Sequence, residues 1–160
     1  MCGIIGLFLK DDKLNCNLGS MLSSMLNTMS DRGPDSSGLA IYNRRDIGKI
    51  KLTLRSENHQ EDFKEIRKGL LQKLKLKFSL REHFNHIVLT VNKKDVNQVE
   101  SFLKKSFSSL SLVSLGENIE IFKEVGLPKN LIQKFDINAM SGTHGIGHTR
   151  MATESAVTTL

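Results

Sequence analysis

Apolar residues along this 160-residue chain fall into short runs and helical periodicities that alternate. Residues 4–9 form an apolar run after a glycine, which is typical of a buried strand. From Leu18 to Met29 apolar residues recur at helical spacing after Asn17, a residue type that caps helices. The pattern predicts a helix whose Leu and Met stripe faces the core and which ends at Gly33-Pro34. Residues 37–43 predict a second strand.

The middle of the chain predicts a second set of elements. The predicted strands are 47–54, 86–91, 110–113 and 119–122, and the predicted helices are 62–74, 95–107 and a short one from Pro128 to near Phe135. Strands that alternate with helices favour a small α/β lobe. Residues 142–150 then predict a strand with Gly145, Gly147 and Thr149 on one face and His144, His148 and Arg150 on the other.

The composition fits a globular protein with a real core, at 39% hydrophobic and 25% charged residues. No membrane span or signal peptide is visible, so we expect no membrane partner and a cytoplasmic location. The net charge of +6 is concentrated in the middle, because 19 basic and 12 acidic residues lie between Arg44 and Asp136. Aromatic residues are only 6%, which suits base stacking poorly, so we predict a solvated face or a dock for an acidic partner and no nucleic-acid partner.

The second residue, Cys2, places a thiol directly after the initiator methionine. Methionine is normally removed when the next side chain is small, and the chain would then begin with Cys2. An α-amine has a pKa of about 8, so part of it is neutral near pH 7 and can act as the general base for the adjacent thiol. Taken alone, Cys2 is more often interpreted as a small buried hydrophobe. The other cysteine, Cys16, has no motif around it and is predicted to be inert.

Three motifs change that interpretation. They are Cys2-Gly3-Ile4-Ile5-Gly6, Arg32-Gly33-Pro34-Asp35-Ser36-Ser37-Gly38 and His148-Thr149-Arg150-Met151-Ala152-Thr153-Glu154-Ser155. In this order they resemble the glutaminase domain of the class II glutamine amidotransferases, which are N-terminal nucleophile hydrolases. The resemblance implies an α+β fold, the αββα sandwich of that family, here incomplete and with an α/β insertion between the second and third motifs.

The resemblance also implies roles for individual residues. Cys2 would attack the side-chain amide of glutamine, form a thioester and release ammonia. Arg32 and Gly33 would belong to the loop that supports the nucleophile and closes over glutamine. Arg150 would bind the α-carboxylate through two parallel hydrogen bonds, which a guanidinium can form, and Thr153 would donate another. No metal and no cofactor enters this chemistry.

One element of the family pattern is missing. The family places an Asn-Gly pair after the third motif to supply the oxyanion hole, and no Asn-Gly pair occurs in this sequence. We therefore expect these residues to be the N-terminal part of a longer glutaminase domain and to be inactive alone. The predicted division is 1–43 with 137–160 as the front part of that domain, and 44–136 as a basic insertion.

The predicted function is glutamine hydrolysis that supplies ammonia to a partner synthase. The motifs and the long insertion most resemble stand-alone glutaminase subunits that serve glutamate-synthase-like or N-methylglutamate-synthase-like proteins. One alternative is a non-catalytic interaction or regulatory subunit with the same fold, whose working surface is the insertion. Another is an N-terminal nucleophile amidase for a different amide, against which the carboxylate-binding chemistry of Arg150 argues.

Overall fold

The computed structural model describes residues 1–152, so the predicted site residue Thr153 lies outside the described residues. This part of the chain has two sheets and four α-helices, in agreement with the predicted α+β class. The strands are β1 (Gly3–Phe8), β2 (Ser36–Tyr42), β3 (Lys49–Ser56), β4 (Phe78–His83), β5 (His86–Asn92), β6 (Leu110–Gly116), β7 (Ile119–Val125) and β8 (His144–Arg150). The helices are α1 (Leu18–Asn27), α2 (His59–Lys68), α3 (Val96–Ser106) and α4 (Pro128–Phe135). No helix within residues 1–152 is long and apolar enough to cross a bilayer.

The chain divides into two compact units. The first consists of Met1–Arg44 and Ile121–Leu160, and the second of Arg45–Glu120. Residues 121–136, which the sequence-based division placed in the insertion, therefore belong to the first unit. The assignment of these units to a glutaminase front part and an insertion stays a prediction.

In the first unit the last described strand joins the two strands that precede the second unit. The sheet order is β1-β8-β2-β7, and β8 pairs antiparallel with both β1 and β2. Helix α1 packs on the inner face of β8, where a Cβ on Gly145 would lie 2.5 Å from Leu22 Cδ1 and 3.0 Å from the Ala40 carbonyl oxygen. Glycine is thus required for the close approach of this helix.

The predicted alternation of β8 is confirmed, whereas the interpretation of β1 as a wholly buried strand is wrong. In β8, Gly147 and Thr149 are buried and Ile146 and His148 are exposed. Strand β1 also buries one face only, since Ile4 is 75% exposed in the described structure although it is apolar. An apolar run alone does not distinguish a strand covered on both faces from one covered on a single face.

Helix α1 is confirmed in place but is shorter than predicted. It ends at Asn27, and a 3-10 turn (Ser30–Arg32) leads to Gly33. Asn17 occupies the N-cap position without a side-chain capping bond, because a preceding 3-10 turn runs directly into the helix. The leucines of the predicted stripe are fully buried and its methionines are half-buried: Leu18, Leu22 and Leu26, and Met21, Met25 and Met29 respectively.

The second unit has the element order β3-α2-β4-β5-α3-β6 and the sheet order β4-β5-β3-β6, with every neighbouring pair antiparallel. This is the split β-α-β arrangement of the ferredoxin-like fold. The predicted mixture of strands and helices is confirmed, but the alternation arises from an antiparallel sheet. The core between sheet and helices is apolar and includes Ile50, Leu52, Leu54, Phe63, Ile66, Leu70, Ile87, Leu89, Val91, Val99 and Leu103.

Two features of the second unit were not predicted. Strand β4 was missed because Arg81 and Glu82 interrupt its apolar alternation. The predicted helix 62–74 is in fact α2 followed by a π-helical turn, Gly69–Lys73, in which the Leu74 amide donates to the Gly69 carbonyl at 3.1 Å. Periodicity predicts that a segment is helical but not a change in its hydrogen-bonding pattern.

Candidate active site

The start of β1 lies beside the end of β8. Gly3 pairs with Thr149 and Ile4 with His148. Continued by one residue, this antiparallel register places Cys2 opposite Arg150. Because strand side chains alternate, Cys2 and Arg150 belong to the same face as Ile4 and His148. The Cys2 thiol is free and exposed. The first motif and the third therefore meet at one end of the sheet.

Gly3 allows a close approach behind this thiol. A Cβ at Gly3 would lie 3.0 Å from Thr149 Oγ1 and 3.2 Å from Met29 Sδ. The Thr149 hydroxyl donates to the Met29 carbonyl at 3.3 Å and so ties β8 to the end of the α1 region. The residue after Cys2 is thereby enclosed by two other segments, which restricts the backbone that carries the thiol.

The second motif packs on the backbone at the end of β8. Gly33 is buried, and a Cβ there would lie 2.6 Å from the Arg150 nitrogen and 2.7 Å from the carbonyl carbons of Thr149 and Arg150. Pro34 forms an isolated parallel bridge with Arg150. The Asp35 amide then donates to the Arg150 carbonyl at 3.1 Å. This loop fixes the backbone from which the Arg150 side chain extends.

Asp35 connects three segments of the chain through hydrogen bonds. Its carboxylate Oδ2 accepts from the Ala152 amide at 2.7 Å, and its carbonyl accepts from the Gly126 amide at 2.7 Å. Sequence reasoning did not foresee that Asp35 would hold the chain just beyond Arg150. The available signal was its position directly after Gly33-Pro34.

His148 contributes to the electrostatics of this face. The residue as a whole is exposed, but its ring lies over Gly38, where a Cβ would be 2.5 Å from His148 Nε2. Partial burial lowers the pKa of His148 below its ordinary value, and the positive charges of Lys123 and Arg150 lower it further. The neutral imidazole is therefore favoured near pH 7, and the cationic charge on this face comes from Lys123 and Arg150.

The remaining predicted site residues have different surroundings. Arg32 is exposed at the end of the 3-10 turn, and Arg150 is half-buried. Cys16 lies in another 3-10 turn (Asp12–Asn17), where its thiol donates to Asn17 Oδ1 at 3.2 Å. Residues 1–152 bring together no group of three or more His, Cys, Asp or Glu that could hold a metal ion. The described geometry thus gathers Cys2, Gly33 and Arg150 at one end of a sheet.

Comparison with known proteins gives a consistent picture. No protein-family model matches the chain. The chain is 45% identical over 161 residues to the glutamine amidotransferase-like protein GlxB of Rhizobium meliloti. This alignment covers 100% of this chain and 53% of that protein. The chain is also 29% identical over 171 residues to a putative glutamine amidotransferase of Methanothermobacter thermautotrophicus. That alignment covers 98% of this chain and 54% of that protein.

The chain spans about half the length of the curated relatives that it matches. Both similarities extend over nearly the whole chain, so they include the motifs and the second unit alike. They support a relationship with the glutamine amidotransferases, which is the broad class that the three motifs predicted. The N-terminal nucleophile mechanism and the roles of individual residues stay predictions.

Proposed function

We propose that this chain is the N-terminal part of a class II glutaminase that hydrolyses glutamine to glutamate and ammonia and supplies ammonia to a partner synthase. The observation that carries the proposal is the meeting of all three motifs at one end of the first sheet. Gly3 pairs with Thr149 there, and Gly33 packs on the Arg150 backbone. The convergence of three motifs that lie far apart in sequence supports a shared site.

The nucleophile is Cys2 after removal of Met1. Its α-amine accepts the thiol proton, directly or through water, and the thiolate attacks the side-chain carbonyl carbon of glutamine. Collapse of the tetrahedral intermediate breaks the C–N bond, and the amide nitrogen leaves as ammonia after taking up a proton. Water then hydrolyses the thioester, which releases glutamate and restores the thiol. The exposure of Cys2 supports this role because the substrate must reach the sulfur.

Substrate recognition falls to Arg150, with Thr153 as a second donor. The α-carboxylate distinguishes glutamine from other amides, and a guanidinium can bind a carboxylate by two parallel hydrogen bonds. Three groups of the second motif restrain the Arg150 backbone: Gly33, Pro34 and the Asp35 amide. In this proposal they set the position of the guanidinium relative to Cys2, and Arg32 with Gly33 forms the loop that closes over glutamine.

The proposal extends to the fold. The first unit contributes one sheet and one helical layer to an αββα sandwich, and the second unit is an insertion in it. Exposed apolar side chains on the outer face of the first sheet, Ile4 and Ile146 among them, support a face that is covered in the complete fold. In this proposal a partner synthase uses the ammonia.

A glutamine analogue tests the nucleophile directly. The diazoketone 6-diazo-5-oxo-norleucine should alkylate the Cys2 sulfur of the full-length protein with loss of dinitrogen. Peptide mapping should find the adduct on a peptide that begins with Cys2, which also reports removal of Met1. Excess glutamine should protect this site. An adduct on Cys16, or a labelled peptide that retains Met1, would contradict the proposed mechanism.

Recognition is tested by Arg150→Lys. Lysine keeps the charge but cannot form the bidentate pair, so we expect kcat/KM for glutamine to fall about tenfold or more, mainly through KM. Arg44→Lys is a matched control, because the ion pair that Arg44 forms with Asp12 is exposed. Steady-state kinetics with a thermal melt separate binding from folding. Unchanged kinetics would remove Arg150 from the substrate site, and a large fall in melting temperature would make its role structural.

A further inference from the structure

A cavity of about 300 Å³ opens in the second unit, between the π-helical turn that follows α2 and the end of α3. This volume lies at the lower end of the range of small-molecule sites in proteins. The cavity belongs to the ferredoxin-like unit and shares no residue with the Cys2 site. Its lining combines aromatic and charged side chains, which is the combination that gives both affinity and orientation.

The apolar part of the lining is formed by Phe102 and Phe107, which stand edge to face with ring centroids 5.9 Å apart. Both side chains are half-buried, so part of each ring is exposed in the described structure. Aromatic pairs in this geometry can pack against an apolar or aromatic ligand. This part of the cavity therefore suits an apolar body.

The charged part has a net charge of +1, since Lys68 and Lys73 line the cavity together with Glu65. Lys68 and Glu65 form a weak exposed pair, with Nζ and Oε1 3.6 Å apart. Lys73 Nζ lies 6.0 Å from the centroid of the Phe102 ring, so one ammonium stands directly beside the apolar part. A net charge of +1 is neutralised by one negative charge, and a carboxylate carries one negative charge near pH 7.

The π-helical turn is built around this cavity. A Cβ at Gly69 would lie 3.0 Å from both Cε1 and Cε2 of Phe102 and nearer still to its Cζ, so only glycine lets the ring take its place. The wider turn of Gly69–Lys73 then carries Lys73 to the same cavity. Single π-helical turns are frequent at functional sites, and here the irregularity coincides with the charged and aromatic lining.

We propose that this cavity binds a small monoanionic carboxylate that carries an apolar or aromatic body. The carboxylate meets the Lys73 ammonium, and the body packs on Phe102 and Phe107. The second unit is thereby a ligand-binding unit in its own right. The proposal does not depend on the glutaminase chemistry, because none of its residues belongs to the three motifs.

The test is isothermal titration of the full-length protein with 3-phenylpropanoate as the probe. We expect a dissociation constant below about 1 mM. Three analogues separate the contributions: 3-phenylpropanamide lacks the charge, propanoate lacks the ring and phenyl phosphate carries a second charge. Each should bind at least about tenfold more weakly. Equal binding of the amide, tighter binding of the phosphate or a dissociation constant for 3-phenylpropanoate weaker than about 1 mM overturns the proposal.

Protein variants locate the binding. Lys73→Gln should weaken 3-phenylpropanoate binding about tenfold, whereas Lys94→Gln, an exposed lysine before α3, should leave it unchanged. Phe102→Leu should weaken the binding of 3-phenylpropanoate and have little effect on the weak binding of propanoate. A benzophenone derivative of the probe should label the peptide from Gly69 to Lys73 or the one with Phe102 and Phe107. Labelling elsewhere, or an unchanged affinity of Lys73→Gln, overturns the site, whatever the outcome at Cys2.

Discussion

Replacement of Cys2 by serine is expected to abolish glutamine hydrolysis by the full-length protein. A serine hydroxyl is far less acidic than a thiol, so an α-amine with a pKa of about 8 can generate little of its anion. Loss of a nucleophile in other enzymes lowers kcat by up to about 10⁶-fold, and we expect a fall of at least about a thousandfold here. Glutamate and ammonia released from glutamine are the quantities to measure.

Cys16→Ser is the matched control. Cys16 is also a free and exposed cysteine, but it lies in the turn Asp12–Asn17 with its thiol bonded to Asn17 Oδ1. We expect this variant to keep wild-type kcat and KM. If Cys2→Ser retains substantial activity while Cys16→Ser loses it, the nucleophile has been wrongly assigned. If both retain activity, the thioester mechanism is wrong and a non-catalytic role of these motifs becomes the better interpretation.

The motifs indicated residues that lie near one another, although their roles stay predictions, whereas local patterns did not predict how the strands pair. Cys2, Gly33 and Arg150 were chosen from motif resemblance, and the structure brings them together. The periodicities did not predict the strand pairing that brings these residues together, in which β8 lies between β1 and β2. Pairing depends on contacts between residues more than a hundred positions apart, such as Gly3 with Thr149. A pattern within one window carries no information about which strands are neighbours.

In the second unit, the local sequence pattern predicted most helices and strands. It failed at a strand that contains consecutive charged residues and at a π-helical turn. Strand β5 has a run of apolar and β-branched residues and was predicted within one residue. Strand β4 places Arg81 and Glu82 in succession at the edge of the described sheet, where charged side chains are tolerated because one side of β4 has no partner strand among residues 1–152. The π-helical turn depends on the fit of Gly69 against Phe102, a tertiary contact that sequence spacing does not encode.

Gly33→Ala is expected to impair both stability and catalysis. A glycine-to-alanine change at a compatible site stabilises by about 0.4–1 kcal/mol through the unfolded chain, whereas overpacking costs about 1–3 kcal/mol. At Gly33 the second effect wins, because the atoms within 2.6–2.7 Å of the new Cβ are backbone atoms of Thr149 and Arg150 that cannot rotate away. We expect a net loss of about 1–2 kcal/mol in the free energy of unfolding.

The catalytic loss should exceed what this destabilisation explains. To relieve the contact, the loop must move away from β8, and the Pro34 bridge and the bond from the Asp35 amide to the Arg150 carbonyl move with it. A displacement of about 1 Å in a positioned group can lower catalysis about a hundredfold, and we expect a fall of that order in kcat/KM where the protein is still fully folded. Ser108→Ala, at an exposed turn position of the second unit, is the control for stability, because exposed substitutions of this kind usually change the free energy of unfolding by less than about 0.5 kcal/mol. Denaturant unfolding and glutaminase kinetics, both at 25 °C, decide the matter. Equal stability of the two variants would show that the loop yields freely, and wild-type kcat/KM in Gly33→Ala would separate the second motif from the chemistry at Cys2.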